Sequence, residues 1–141
     1  MKSEYLITFD SKDDICTSVE KFKSLLAAHA SISFGKKEKL SYGERDFAYK
    51  LAQGTLTDSS IYYDLTIEST DVADQEAFKE MLREVRRICS KISGRNIIVL
   101  HDGVGESYCH MGYPIIYKTE NLMRKLIVKF MANSIGYDWS D

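Results

Sequence analysis

The chain has 141 residues, of which 44% are hydrophobic and 28% are charged. This length and composition suit one ordinary globular domain and exclude a disordered or fibrous chain. The formal net charge of −2 excludes a general electrostatic attraction to nucleic acid or to an anionic membrane, so binding to either would need a local patch.

The three cysteines, Cys16, Cys89 and Cys109, are odd in number and widely spaced. The segment Met1–Tyr5 is too polar and too short for the apolar part of a secretory signal. The longest apolar run is far shorter than a membrane span. We therefore expect reduced thiols, a cytoplasmic protein and no membrane contact.

The N-terminal segment predicts a strand followed by a helix. Residues 5–9 have the composition of a strand. Ser11 and Asp14 form the S-x-x-D pattern of a helix N-terminus. The apolar residues that follow at helical spacing are Ile15, Val19, Phe22 and Leu26. This stripe predicts a helix over residues 12–29.

Residues 40–69 predict an antiparallel part of a sheet. A hairpin joins residues 40–42 to residues 45–51 across Gly43 and Glu44. A further strand covers residues 61–69, and its alternation indicates one buried face and one wetter face. Four tyrosines lie on these strands and suggest an aromatic platform for bases, although core or edge packing is the alternative. They are Tyr42, Tyr49, Tyr62 and Tyr63.

A second helix is predicted from Asp74, a capping residue, to Gly94, a typical helix stop. Its basic face also includes Arg86, and its basic row consists of Arg83, Arg87 and Lys91 at positions i, i+4 and i+8. This row is a candidate nucleic-acid-binding site, with RNA as the expected ligand. The alternative is a solvated face, because glutamates are interleaved with the basic residues. A strand over residues 96–100 follows.

A third helix is predicted from Pro114, suited to a first helical position, to about Asn133, with Gly136 closing it. Its apolar arc is wider than one stripe, which favours packing on two neighbours. The second apolar row, together with an aromatic residue near the chain end, predicts an interface made by Met123, Ile127, Met131 and Trp139. The alternative is that one compact monomer buries both rows.

These elements predict an α+β fold, a ferredoxin-like antiparallel sheet of order β-α-β-β-β-α-β with an additional C-terminal helix. We assign residues 1–112 to the α+β domain. Residues 113–141 form a helix that packs on the sheet, on a partner or on a missing domain. The expected contacts place Phe22, Leu26, Leu82 and Val85 against Leu6, Leu65 and Ile98.

The segment from Arg95 to His101 resembles the active-site motif of HEPN-type ribonucleases, an arginine and a polar residue followed after four residues by a histidine. The resemblance implies that His101 performs acid–base chemistry on a ribose hydroxyl while Arg95 stabilises phosphate charge. The alternative is that Arg95 begins a strand and His101 ends it at the surface. The nearby residues Asp102, Cys109 and His110 lack the spacing of a metal site, so we expect no metal and no cofactor.

The third helix carries a second resemblance. The letters YP and ENLMRKLI at residues 113–127 resemble the opening helix of HEPN domains in large bacterial proteins of phage defence and RNA cleavage, over residues 113–139. The resemblance implies that this chain is an N-terminal module and that further HEPN helices follow Asp141. It implies no nuclease activity for this chain, which has no four-helix bundle.

Two hypotheses about function follow. The first is a non-catalytic recognition and assembly module of a bacterial defence-type protein that contacts RNA. It acts as a homo-oligomer or with a C-terminal domain beyond Asp141. The second is a small metal-independent endoribonuclease that uses Arg95 and His101.

Overall fold

The computed structural model describes residues 1–10, 12 and 14–136. The fold is α+β, with one six-stranded sheet, two helices in its crossovers and a long C-terminal helix. In chain order the elements are β1 (Lys2–Phe9), α1 (Val19–Ala27), β2 (Ile32–Phe34), β3 (Lys39–Tyr42), β4 (Arg45–Thr55), β5 (Ile61–Glu68), α2 (Gln75–Ser93), β6 (Ile98–Asp102) and α3 (Gly103–Ile135).

The strands lie in the order β2-β3-β4-β5-β1-β6, and every pairing is antiparallel. The four strands β4-β5-β1-β6, with α1 and α2 in the crossovers, have the ferredoxin-like arrangement that the sequence predicts. The hairpin β2-β3 extends this sheet beyond β4. Strand β2 was not predicted, because three residues are too few to show an alternating pattern.

Helices α1 and α2 cover the same face of the sheet and share one core with it. The ring of Phe22 on α1 stacks on the ring of Tyr63 on β5, with 4.5 Å between the ring centres. Phe78 of α2 packs on Phe47 of β4, with 5.4 Å between the ring centres. The predicted helix residues of this core, Phe22, Leu26, Leu82 and Val85, are all buried. The prediction that both helices share one face is therefore confirmed.

The prediction that Leu6 and Ile98 are buried against the helices is wrong. Tyr5, Ile7 and Phe9 of β1 face the helices, so Leu6 lies on the other face and is half-buried. Ile98 is in register with Leu6 and is 50% exposed. Because side chains alternate along a strand, the prediction that Leu6 is buried assigned the wrong face of β1 to the core.

Helix α1 begins at Val19, which corrects the predicted start at residue 12. Ser18 caps it, with extended backbone angles and a side-chain oxygen that accepts a hydrogen bond from the Lys21 N–H at 3.2 Å. Ile15, counted in the predicted stripe, is exposed in a turn. The predicted capping residue Ser11 lies outside the described residues.

Helix α2 has nearly the predicted bounds. Its stop is confirmed, because Gly94 has a φ of +63° and its N–H donates to the Ser90 carbonyl. Asp74 occupies the N-cap position, but its side chain makes no capping hydrogen bond and instead pairs with Arg45 of β4. This ion pair ties the start of α2 to the sheet.

Helix α3 begins at Gly103, so the predicted start at Pro114 is wrong and the proline lies inside the helix. Gly103 and Gly105 are residues typical of a loop, but Glu106 supplies the acidic first turn of a helix. Gly136 follows the helix and donates its N–H to the Ala132 carbonyl, as expected. The chain forms two compact units, Met1–Val104 and a second beginning at Gly105.

Candidate interaction sites

Large apolar side chains are exposed along α3. Met123 is 58% exposed, Ile127 is 53% exposed and Phe130 is 68% exposed. The other exposed members on this helix are Tyr108, Met111, Tyr113, Ile115, Ile116, Tyr117, Leu122, Leu126, Val128 and Ile135. A contiguous exposed apolar patch of this kind is typical of an interaction surface.

The C-terminal part of α3 carries its apolar side chains in two neighbouring rows. The first row is Ile115, Leu122, Leu126 and Phe130, and the second is Ile116, Met123, Ile127 and Met131. At 3.6 residues per turn, the two rows cover roughly half of the helix circumference. A two-helix coiled coil buries a narrower seam, so this arc fits a bundle with at least two neighbouring helices.

The predicted interface residues differ in their surroundings. Met123 and Ile127 are exposed, Met131 is half-buried, and Trp139 lies outside the described residues. Beside the second row, the Arg124 guanidinium donates to the Glu120 carboxylate at 2.8 Å. This pair is the surface ion pair between positions i and i+4 that the sequence suggests.

The predicted basic row lies on α2, where Arg83, Arg87 and Lys91 are all exposed. Arg87 donates to the Glu84 carboxylate at 2.6 Å. Arg86 belongs to the same basic face of α2 but not to the row, and its guanidinium lies 5.9 Å from the centre of the Tyr5 ring. Only the strand that packs beneath the helix could have identified this contact.

The structure separates Arg95 from His101. The Arg95 guanidinium donates to Asp10 at 3.3 Å, while His101 is in register with Glu4. Asp10 and Glu4 are six residues apart along β1 and its end, which corresponds to about 20 Å. Within one chain the two side chains therefore form no common site, and the endoribonuclease hypothesis stays a prediction.

The strand tyrosines do not form an aromatic platform. Tyr49 and Tyr63 face the helices and are buried. Tyr62 lies on the open face, where its ring covers Gly54 of the neighbouring strand. Tyr42 is half-buried on β3. Stacking of several bases on this sheet is therefore not supported.

The open face of the sheet instead holds a poorly solvated carboxyl group. Burial, and secondly the negative charge of Glu4, raise the pKa of Asp64 above its usual value. Among the described residues no hydrogen-bond donor reaches its buried Oδ1 atom. Asp64 is therefore a local source of instability at neutral pH.

The cysteines are free thiols, with Cys16 and Cys89 buried and Cys109 exposed on α3. Burial raises the pKa of Cys89 to about 12 and also raises the pKa of Cys16, so neither is suited to act as a thiolate. In the described part of the chain, no three His, Cys, Asp or Glu side chains converge as metal ligands.

Comparison with protein-family models, curated proteins and solved structures gives no match. Across the residues with described structure, none of the helices combines the length and apolar character required to cross a membrane.

Proposed function

We propose that the protein is a non-catalytic recognition and assembly module in which α3 packs against helices outside its own unit. The observation that carries this proposal is the exposure of both apolar rows of α3, in which only Met131 is half-buried. Burying a single Leu, Ile, Phe or Met side chain contributes about 1.5–3 kcal/mol, so covering even part of the arc gives a large driving force for association.

In the purified chain, the helices that cover α3 are those of further copies of this chain, whereas a C-terminal domain beyond Asp141 would cover the same rows in a longer protein. The resemblance of residues 113–139 to the opening helix of HEPN domains supports a role in a bacterial defence-type protein. It also agrees with the width of the apolar arc, because the first helix of a bundle contacts more than one neighbour.

Light scattering on the purified chain at micromolar concentration tests this proposal. We expect a mass above the 16.1 kDa of one chain, because the apolar rows cover each other in an oligomer. Ile127→Asp places a charge in the second row and should shift the chain towards the monomer. Asn121→Asp adds the same charge on the polar side of α3 and should leave the mass unchanged.

A wild-type chain that stays monomeric at every concentration, with α3 helical by circular dichroism, would contradict the proposal. Equal masses for Ile127→Asp and the wild-type oligomer would contradict the assignment of the second row to the interface.

A further inference from the structure

We propose that the C-terminal half of α2 and the segment before β6 form a binding surface for the phosphodiester backbone of a nucleic-acid strand. This inference does not rest on the assembly role of α3. Between residues 83 and 93 the chain has four cationic side chains and one anionic side chain, although its net charge is −2. The C-terminal half of α2 thus has a local excess of positive charge.

A groove of about 370 Å³ lies on this surface. This volume is sufficient for a nucleotide-sized group. The residues that line the groove are Arg86, Arg87, Ser90, Asn96 and Ile97. Two guanidinium groups and an amide therefore line the groove as donors suited to phosphate oxygens.

The backbone that presents Asn96 is held in place. The carbonyl oxygen of Arg95 accepts hydrogen bonds from the hydroxyls of Ser90 and Ser93, both at 3.2 Å. These bonds fasten the segment after Gly94 to the last turns of α2. The donors from the helix and from the connecting segment therefore belong to one rigid surface, which lowers the entropic cost of binding.

Arg86 is positioned before any ligand binds, whereas Arg87 is paired with a carboxylate. The Tyr5 ring supports Arg86 by a cation–π contact, and the Glu84 carboxylate holds Arg87 at 2.6 Å. The same Glu84 oxygen lies 3.5 Å from His29 Nε2. Glu84 therefore competes with an incoming phosphate for the Arg87 guanidinium.

The surface is suited to reading a backbone rather than bases. Arg83, Arg87 and Lys91 are spaced one helical turn apart, so they extend the positive charge beyond the groove. Arginine forks match phosphate geometry, whereas the groove presents no exposed aromatic ring for base stacking. We therefore expect RNA and single-stranded DNA of the same sequence to bind with similar affinity.

Fluorescence anisotropy with labelled RNA and DNA strands of one mixed sequence tests the proposal on the full chain. With about three phosphates contacted, affinity should fall roughly 20-fold between about 50 mM and about 200 mM salt. Arg86→Glu and Arg87→Glu should each weaken binding about tenfold or more. Lys50→Glu reverses a charge on the open face of the sheet and should change affinity by less than about twofold.

The most discriminating variant is Glu84→Gln. It removes the competitor of Arg87 and should strengthen binding about two- to fivefold, the size expected for a surface ion pair. Glu44→Gln, the same change in the exposed turn between β3 and β4, controls for net charge. Because a damaged fold cannot bind more tightly, this gain separates a direct role from loss of structure.

Three results would overturn the proposal. They are no binding of either strand at low salt, equal weakening by Arg86→Glu and Lys50→Glu, and equally tight binding of poly-glutamate. Mass measurements on Ile127→Asp do not enter this test, so failure of the assembly proposal would be recognised separately.

Discussion

At the scale of single residues, Gly103 lies very close to the backbone of Lys2. A Cβ atom at this position would overlap the carbonyl oxygen of Lys2 and lie 2.8 Å from the Lys2 nitrogen. Because backbone atoms cannot rotate away, Gly103→Ala should lower the free energy of unfolding by about 1–3 kcal/mol in urea denaturation.

Gly112→Ala is the matched control, because no atom lies within 4 Å of the Cβ that it would add on α3. Since alanine favours helix more than glycine does, this substitution should raise helicity and should not destabilise the Met1–Val104 unit. Equal behaviour of the two variants would show that Gly103 is not required for the close approach.

Asp64 provides a pH test. Its pKa is raised in the folded state, so the ionised form is penalised at neutral pH and the penalty disappears as pH falls to the unfolded-state value. Asp64→Asn should therefore stabilise the protein by about 1 kcal/mol at neutral pH. Thermal unfolding measured between neutral pH and pH near 4 should show this advantage shrinking as the solution becomes acidic.

The control for this experiment is Asp46→Asn, because hydrogen bonds from Ser41 and Lys39 lower the pKa of that carboxyl group. Asp46→Asn should therefore lower the free energy of unfolding at neutral pH, whereas Asp64→Asn raises it. An advantage of Asp64→Asn that persists unchanged in acid would contradict the assignment of the penalty to ionisation.

At the scale of elements, the sequence predicts the helices and strands that have a clear hydrophobic period. It does not predict the boundaries that depend on tertiary contacts or caps. The alternation of Tyr63, Leu65 and Ile67 gave β5 and its buried face correctly. Strand β2 was too short to detect, and the start of α1 depends on the Ser18 cap rather than on apolar spacing. Helix α3 extends N-terminally through glycine and proline positions that single-residue preferences mark as breaks.

Helix α2 is fixed to the sheet by its apolar face, and Leu82, which is 4% exposed, reports on this packing. Leu82→Ala should cost about 2–5 kcal/mol in unfolding free energy, because it leaves a cavity in the shared core. Leu100→Ala removes the same atoms from a side chain that is 50% exposed and should cost much less. Similar losses at both sites would mean that α2 does not pack as described.

At the scale of the whole molecule, the sequence predicts the basic row of α2 and the apolar rows of α3 but not the contacts that surround them. The exposed positions of Arg83, Arg87, Lys91, Met123 and Ile127 agree with their helical spacing. Arg86 is placed by the Tyr5 ring of β1, and Asn96 is placed by the hydrogen bond from Ser90 to the Arg95 carbonyl. Neither contact leaves a periodic signal in the sequence. The separation of Arg95 from His101, by contrast, follows from the strand that the sequence predicts after α2, since β6 covers Ile98–Asp102 and Arg95 precedes it.

The central claim is that the apolar rows of α3 are covered by other helices in solution, and amide hydrogen exchange tests it most directly. Exchange of the amide hydrogens of residues 115–131 should slow as protein concentration rises, because association reduces local unfolding of the helix. Ile127→Asp should abolish this dependence, while Asn121→Asp should retain it. Fast exchange in α3 at every concentration, identical in the wild-type chain and in Ile127→Asp, would contradict the account.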